Sequence, residues 1–379
     1  MLDRRCLVVP GTRSSRIHVI DTRPDPSDPR VVKVIEPDVV AQVAGYRRPT
    51  AVRCGAGHVM VSALEGMSAG DPGGVLALDA ETFDLRGPWE LDRGPQTLGG
   101  ELGWHPTHDS AVSGEWGPAS LLDEGIDAAR LRARGYGRHL HVWRTSERAH
   151  ARALDLDPDG QLLGPVRPLN HPARVAGFAA LTTSARDWSA TVHVWERTGR
   201  GDAACWSTAP VIAIPGTPAG ERPLPAVLDG VGAVPPLVTD LALSLDDRWL
   251  YVACWGTGEL RQYDVTCLRT PRLTGVLHLG GIARDIVHRQ RPDAALEGGP
   301  CALQLSRDGR RLYVTNSMGA AWDRQFHPPG VRGWMARVEI AATGEWRLDD
   351  RFLVALDGWR PHGIRLEGGD AASDSYCYA

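Results

Sequence analysis

The segments Leu243-Ser-Leu-Asp-Asp-Arg-Trp-Leu-Tyr-Val252 and Leu305-Ser-Arg-Asp-Gly-Arg-Arg-Leu-Tyr-Val314 show one residue pattern at two places in the chain. Each contains Ser-x-Asp followed by Asp or Gly, which is typical of a tight turn, and then Leu-Tyr-Val, which is typical of a strand. Each segment therefore predicts two antiparallel strands joined by a tight turn. We interpret each hairpin as the adjacent inner strands of one propeller blade.

A second pattern, in which two strands of alternating apolar residues flank a charged turn, occurs six times. These hairpins are about 40 to 75 residues apart, a spacing typical of propeller blades with inserted loops. The chain is therefore predicted to be an all-β propeller, with residues 1–379 forming a single domain. The paired segments are 17–21 with 31–35, 74–79 with 85–89, 140–143 with 151–156, 192–195 with 211–214, 260–265 with 273–279, and 336–340 with 352–356.

The two ends of the chain are predicted to close the ring, because a closed propeller leaves few free strand edges. Strands 6–9 and 17–20 look like a blade without its innermost strand, and segments 362–366 and 373–378 look like inner strands without an outer hairpin. Pairing of 362–366 with 7–9 would close six blades. If the chain instead keeps the spacing of a seven-bladed propeller, the missing strands leave an open edge. The sequence leaves both blade numbers, six and seven, as alternatives. Outside the strands, a short helix is expected near 121–134.

Composition restricts the class of protein. The 379 residues include 42% hydrophobic and 23% charged residues with a net charge of −4, which indicates a globular chain without a basic nucleic-acid surface. No signal-peptide core and no long uncharged apolar run occur, and the seven cysteines include no C-x-x-C pair. We expect a cytoplasmic protein with neither a membrane nor a nucleic-acid partner. Motifs for nucleotide binding, serine hydrolysis and zinc proteolysis are absent.

Histidines occur at several predicted starts of innermost strands, where side chains from distant parts of the sequence converge on the propeller axis. His105 and His108 lie in segment 104–108, His171 in 170–172, and His362 in 360–362. Imidazole is a common ligand of copper and zinc, so these histidines are candidate metal ligands. The alternative is that they are polar channel residues bonded to water and carbonyl groups.

Six strings in register along the chain resemble the selenium-binding protein family, whose members include methanethiol oxidases. The resemblance implies a β-propeller and copper-dependent oxidation of methanethiol to formaldehyde, hydrogen sulfide and hydrogen peroxide. It also implies selenium association through cysteine. The strings are SRIHVID at 15–21, KVIEP at 33–37, VTDLALSLDDR at 238–248, LRQYD at 260–264, PRLTG at 271–275 and AWDRQF at 321–326.

The resemblance also selects site residues. It retains His108, His171 and His362 as the remaining copper ligands, which we expect to approach one another on the axis, with His105 as an addition. Glu115, in a Ser-x-Glu-Trp string like that of the family, would orient a channel histidine, although it is equally compatible with capping a turn. The family's His-Thr-Ser-His string aligns with 49–52, where both histidines are missing, and its N-terminal Cys-x-x-Cys precedes the first residue of this chain.

Cys54 and Cys301 lie at or near predicted inner strands and are candidate thiols for a small thiol substrate or for selenium. Buried cysteines are more often small apolar residues of a core. Two functions therefore remain open. One is oxidation of a small thiol, and the other is a non-catalytic propeller that binds a ligand or a protein partner on its loops.

Overall fold

The computed structural model describes residues 5–366 except 24, 56, 200–204, 222 and 329. Within these residues the strands form six antiparallel sheets arranged as the blades of a propeller, together with two short two-stranded ribbons. Blade 1 has three strands, and blades 2 to 6 have four strands each. The prediction of an all-β propeller is confirmed.

Blades 1 to 3 contain the first eleven strands. Blades 1 and 2 comprise β1 (Cys6–Gly11), β2 (Arg16–Asp21), β3 (Arg30–Ile35), β4 (Arg47–Cys54), β5 (His58–Glu65), β6 (Pro72–Asp79) and β7 (Leu85–Pro88). Blade 3 comprises β8 (Leu102–Trp104), β9 (Ala111–Gly114), β10 (His139–Arg144) and β11 (Ala149–Asp155).

Blades 4 to 6 and the two ribbons contain the remaining strands. Blade 4 and the first ribbon comprise β12 (Gly160–Pro168), β13 (Ala176–Ser184), β14 (Ala190–Thr198), β15 (Cys205–Ile214), β16 (Thr217–Pro218) and β17 (Ala233–Val234). Blade 5 and the second ribbon comprise β18 (Val238–Leu243), β19 (Trp249–Cys254), β20 (Glu259–Asp264), β21 (Arg272–His278), β22 (Val287–His288) and β23 (Arg291–Ala295). Blade 6 comprises β24 (Leu303–Leu305), β25 (Arg311–Thr315), β26 (Gly333–Ile340) and β27 (Trp346–Leu356).

The two repeated segments form the predicted hairpins β18–β19 and β24–β25. In the first turn the Ser244 hydroxyl accepts a hydrogen bond from the backbone N–H of Trp249 at 2.8 Å, and in the second Ser306 accepts from Arg311 at 3.0 Å. Both turns need one residue with positive φ, supplied by Asp247 (φ 55°) and by Gly309 (φ 69°). In both turns the serine hydroxyl also donates to the carboxylate of the aspartate two residues later, which explains the shared Ser-x-Asp pattern. All six predicted outer hairpins also pair as expected.

Short helices lie in the connections between strands. The helix predicted near 121–134 is two helices, because Gly125 (φ 84°) ends the first and Asp127 caps the second by accepting from two backbone N–H groups. The helices are α1 (Pro37–Ala44), α2 (Ser120–Glu124), α3 (Ala128–Arg132) and α4 (Ala320–Phe326), with a 3₁₀ turn at Ala226–Leu228.

The innermost strands of blades 2 to 6 are β4, β8, β12, β18 and β24, and they define two faces. We call the face where these strands begin the upper face and the face where they end the lower face. The upper face carries an apolar cap, in which Trp322 of α4 donates its indole N–H to the carbonyl of Leu121 at 3.1 Å. The Gln325 side chain bonds both backbone groups of Ile126 and ties α4 to the α2–α3 connection.

Among the residues that the structure describes, blade 1 has no innermost strand, as predicted. Its β1–β2 turn lies at the upper face, because the Ser15 hydroxyl accepts from the N–H of Arg48 at the start of β4 at 3.1 Å. In blades 2 to 6 the turn after the innermost strand lies at the lower face. β1, β2 and β3 therefore correspond to the second, third and fourth strands of the other blades.

The segment 360–366 lies beside the innermost strands. The His362 Nδ1 is 2.8 Å from the carbonyl of Ser317 at the upper face, and the Arg365 guanidinium acts electrostatically on Glu101, which precedes β8. The segment is not assigned as a strand in the described residues. The described blades number six, but 362–366 does not pair with 7–9 as the first of the two predicted closures required. Segment 373–378 lies outside the described residues.

Candidate active site and axial residues

Three of the four predicted ligand histidines cluster at the lower face. His105 and His108 follow β8, and their rings stack with centroids 4.6 Å apart. His171 follows β12 and lies close enough to His105 to affect its pKa electrostatically. Asp247, in the β18–β19 turn, accepts the backbone N–H groups of Asn170 and His171 at 2.8 Å each. The cluster therefore links the turns of blades 3, 4 and 5.

The hydrogen bonds of these rings are directed mainly to the backbone. His105 is buried, and its Nδ1 accepts from the N–H of Thr107 at 3.2 Å while its Nε2 donates to the carbonyl of Asn170 at 3.0 Å. Both ring nitrogens of His105 are thus occupied. His108 donates from Nε2 to the carbonyl of Pro172 at 2.8 Å, and the Nδ1 of His171 accepts from the N–H of Ala173 at 3.1 Å. Burial lowers the pKa of His105 and of His108.

His362 lies at the opposite end of the innermost strands. Its Nδ1 is 2.8 Å from the Ser317 carbonyl and 3.7 Å from the sulfur of Cys301, which precedes β24. Because a carbonyl only accepts, Nδ1 carries the proton. The structure does not bring His362 to His108 and His171, in contrast to the expected triangle.

The histidines lie at different faces because two of the predicted segments are not the starts of innermost strands. The segments containing His108 and His171 were expected to open innermost strands, but they follow β8 and β12 and lie between the first and second strands of their blades. Within the described residues, no group of three or more His, Cys, Asp or Glu side chains has a geometry that could hold a metal ion.

The two candidate thiols lie at opposite faces. Cys301 is 2% exposed, and burial together with the carboxylates of Asp323 and Asp240 raises the pKa of its thiol well above the usual value. At neutral pH this thiol keeps its proton. Cys54 is half-buried at the lower end of β4, where its carbonyl accepts from the indole N–H of Trp104 at 2.5 Å.

Glu115 binds histidines other than the four predicted ligands. Its Oε2 is 2.8 Å from His139 Nδ1, and its Oε1 is 3.4 Å from His141 Nε2 and accepts from the N–H of Thr97 at 3.0 Å. His141 is buried, and its Nδ1 is 3.0 Å from His150 Nε2. Burial opposes ionisation of Glu115, but the hydrogen bonds from His139, His141 and Thr97 outweigh it and lower the pKa of the carboxyl.

A chain of ion pairs crosses the innermost strands, and the sequence patterns did not indicate it. Glu101 Oε2 is 2.7 Å from both Arg53 Nη2 and Arg167 Nη1. Arg167 Nη2 is 2.5 Å from Asp240 Oδ1, and Asp240 Oδ2 accepts from the N–H of Leu303 at 2.8 Å. These contacts connect blades 2 to 6 in order. For Glu101, Arg167 and Asp240 the signal available in the sequence was a single charged residue in or next to a largely apolar strand. For Arg53 there was no such signal, because β4 contains three arginines.

No helix among the described residues is long and apolar enough to span a membrane.

Three comparisons identify the family. The family model "56kDa selenium binding protein (SBP56)" matches residues 1–377. The chain is 34% identical to the methanethiol oxidase of Danio rerio over 98% of its length and 80% of that protein, and 35% identical to that of Homo sapiens with the same two coverages. A solved structure, a hypothetical selenium-binding protein from Sulfolobus tokodaii, superposes with a TM-score of 0.93 at 41% identity, covering 99% of this chain and 81% of that one. The chain therefore belongs to the 56 kDa selenium-binding protein family.

Proposed function

We propose that the protein oxidises methanethiol with oxygen and water to formaldehyde, hydrogen sulfide and hydrogen peroxide. In this reaction the methyl carbon is oxidised, water supplies the aldehyde oxygen, the sulfur leaves as hydrogen sulfide, and oxygen is reduced to peroxide. The observation that supports the proposal is the similarity to two methanethiol oxidases over nearly the whole chain.

Copper is the metal that the family resemblance implies, and the predicted ligands do not fit it. Both ring nitrogens of His105 are engaged in hydrogen bonds, so neither has an electron pair available for a metal. His362 lies at the other face, and its Nδ1 is protonated. His108 and His171 each retain one ring nitrogen, which is fewer than the three or four ligands of a typical protein copper site. The proposal therefore includes no copper-dependent step. Selenium association through Cys54 or Cys301 also remains a proposal.

The test is a product assay on the purified full chain with its metal content measured. Methanethiol in air-saturated buffer should give equal amounts of formaldehyde, hydrogen sulfide and peroxide. Variants His362→Gln and His171→Gln, one at each face, should show which face carries turnover, because only one face is expected to matter. If none of the three products forms, with or without added copper, the proposal is contradicted.

A non-catalytic propeller is the second candidate. It is favoured by one observation, namely that the described residues gather no group of metal-binding side chains. A protein that binds small thiols without consuming oxygen would support this function, and stoichiometric products would exclude it.

A further inference from the structure

Two histidines of blade 3 that are not among the predicted ligands meet in a contact that has room for a single proton. His141 Nδ1 lies 3.0 Å from His150 Nε2, and the two ring centroids are 5.2 Å apart. A hydrogen bond at this distance needs one protonated nitrogen and one nitrogen with a free electron pair. The contact is therefore lost when both of these nitrogens carry protons.

Glu115 determines which nitrogen of His141 is protonated. Its Oε1 is 3.4 Å from His141 Nε2. Burial opposes ionisation of Glu115, but hydrogen bonds from His139, His141 and Thr97 lower the pKa of the carboxyl, so it is ionised at pH 5 and above. A carboxylate only accepts, so the proton of neutral His141 lies on Nε2. At pH 7 His141 Nδ1 is thus the acceptor, and His150 Nε2 donates to it.

Acid adds protons to this pair in two steps. One additional proton leaves the contact intact, because His150 Nε2 still donates to His141 Nδ1 when His150 is protonated at Nδ1. A second additional proton places N–H groups on both facing nitrogens, which then repel each other. Two separated imidazoles would each bind a proton below about pH 6.5. The closed pair therefore binds one proton fewer than the open pair, and acid favours the open one.

Asp92 is the charged residue that acts on His150 from the connection between blades 2 and 3. Burial lowers the pKa of His150, His141 lowers it further, and the Asp92 carboxylate opposes both. The charged side chains of the other packed elements are engaged elsewhere or exposed. They are His139 with Glu115, Arg138 with Asp155, Arg144 with Glu147, Arg148 with the carbonyls of Pro88 and Trp89, and the exposed Arg152. Within the described residues, His141 is thus the basic side chain hydrogen-bonded to His150.

The contact lies beside the connection that runs from blade 2 to blade 3. Residues 89–95 of this connection bond to the start of β11. Leu91 N–H donates to the carbonyl of Arg148 at 2.8 Å, and His150 N–H donates to the carbonyl of Asp92 at 2.8 Å. Gly94 packs so closely on the His150 ring that a Cβ atom there would come within 2.4 Å of it. The position of the His150 ring therefore fixes the connection on blade 3.

Blade 2 holds the same connection without the histidines. Glu90 accepts from the N–H of Val75 at 3.1 Å, and the Arg93 guanidinium donates to the carbonyl of Gly73. These contacts do not involve the imidazole pair. Loss of the histidine contact would therefore free the connection from blade 3 alone.

We propose that His141 and His150 form an acid-operated latch between residues 91–94 and β11. Near pH 7 the shared proton closes the latch. Near pH 5 the second additional proton opens it, which frees residues 91–94 from blade 3. Opening also uncovers the buried Trp143, whose ring packs edge to face on His150 with centroids 5.3 Å apart. The latch does not depend on the proposed oxidation.

The experiment is amide hydrogen exchange of the full chain at pH 7 and pH 5, with each rate divided by the intrinsic rate at that pH. The reporter amides are those of Leu91 and His150. One extra proton on the open form changes the ratio of closed to open about tenfold per pH unit below about pH 6.5. We expect the protection of both amides to fall about 10- to 30-fold. The amide of Val252 in blade 5 measures any general loss of stability and should fall less.

Variants separate the latch from other titrating groups. The amide of His150→Gln can donate to or accept from His141 Nδ1, so protection at residues 91 and 150 should no longer depend on pH. His150→Phe, which has no nitrogen, gives the same expectation if the Gln variant does not fold. His278→Gln replaces a half-buried histidine of β21 and should leave the pH dependence unchanged.

Glu90 requires its own control, because burial raises the pKa of this carboxyl on the same connection. Glu90→Gln should retain the pH dependence of residues 91 and 150. Three results would overturn the proposal: equal protection of the wild type at pH 5 and 7, an unchanged pH dependence in His150→Gln, or its disappearance in Glu90→Gln. Turnover is absent from this assay, so its failure is distinct from failure of the proposed oxidation.

Discussion

Arg167 and Glu101 meet between the innermost strands of blades 4 and 3 at 2.7 Å, and the same guanidinium reaches Asp240 of blade 5. Burial opposes ionisation of Glu101, but Arg53 and Arg167 outweigh it and lower the pKa of its carboxyl. Burial raises the pKa of Asp240, against the effect of Arg167. Arg167 therefore pairs with two carboxylates, and of these Glu101 also pairs with Arg53.

Replacing Arg167 by Met should lower the free energy of unfolding by about 3 to 5 kcal/mol, because it leaves the buried Asp240 carboxylate without its cation. Glu101 keeps its ion pair with Arg53. Urea denaturation measures this change. The matched control is Arg289→Met, which removes an exposed pair with Asp350 and should cost less than about 1 kcal/mol. Equal losses in both variants would show that the axial ion pairs do not stabilise the ring.

Stability should fall as the pH drops below about 6.5, and His193 should account for part of that fall. The side chain is fully buried on β14, and burial lowers its pKa to about 4. Between pH 6.5 and 4 the unfolded chain binds a proton at this position and the folded chain does not, so acid favours unfolding. The contribution is on the order of 3 kcal/mol. Thermal melts at successive pH values should give a flatter curve for His193→Gln, and an identical curve would contradict this assignment.

Glu115→Gln should lower the pKa of His139. The hydrogen bond from Glu115 is the main cause that raises this pKa. The stabilisation gained from the pair is present at low pH and is lost as the pH rises through the pKa of the folded state. Titration of the imidazole signals by NMR measures the change, with His327 as an internal reference outside this cluster. An unmoved His139 signal would mean that the Glu115 contact does not persist in solution.

Cys301 should resist alkylation in the native protein, whereas Cys267 should react. Cys267 is exposed, and its hydrogen bond with Thr270 lowers the pKa of its thiol. Burial, together with two neighbouring carboxylates, raises the pKa of the Cys301 thiol and keeps it protonated. Brief treatment with iodoacetamide at pH 7, followed by peptide mass spectrometry, measures both sites. Alkylation of Cys301 as fast as that of Cys267 would show that the upper-face cap opens readily.

The hairpins could be predicted because their determinants are local. Ser244 and Ser306 each bond within five residues along the chain, and the outer strands alternate apolar residues with a period of two. The face on which each histidine lies could not be predicted in the same way. β8 has only three residues, and the pairing of β12 shifts register between Leu163 and Val166. The sequence pattern of neither segment therefore identifies it as an innermost strand.

The contacts of the axis were also hidden from sequence patterns. Glu101 and Arg167 are 66 residues apart, and Cys301 and His362 are 61 residues apart. Only the order of the blades around the ring brings such residues together. The copper ligands were predicted from a family resemblance and from the expected starts of strands. Neither source shows which residues of neighbouring blades lie next to each histidine.

The three-stranded form of blade 1 has a consequence for association between chains. Within the described residues the other five blades have four strands each, whereas in blade 1 it is β1 that faces the axis. Exposed strand edges promote association between chains. The axial side of blade 1 is therefore the part of the ring where the folded protein most needs protection against pairing with a second chain.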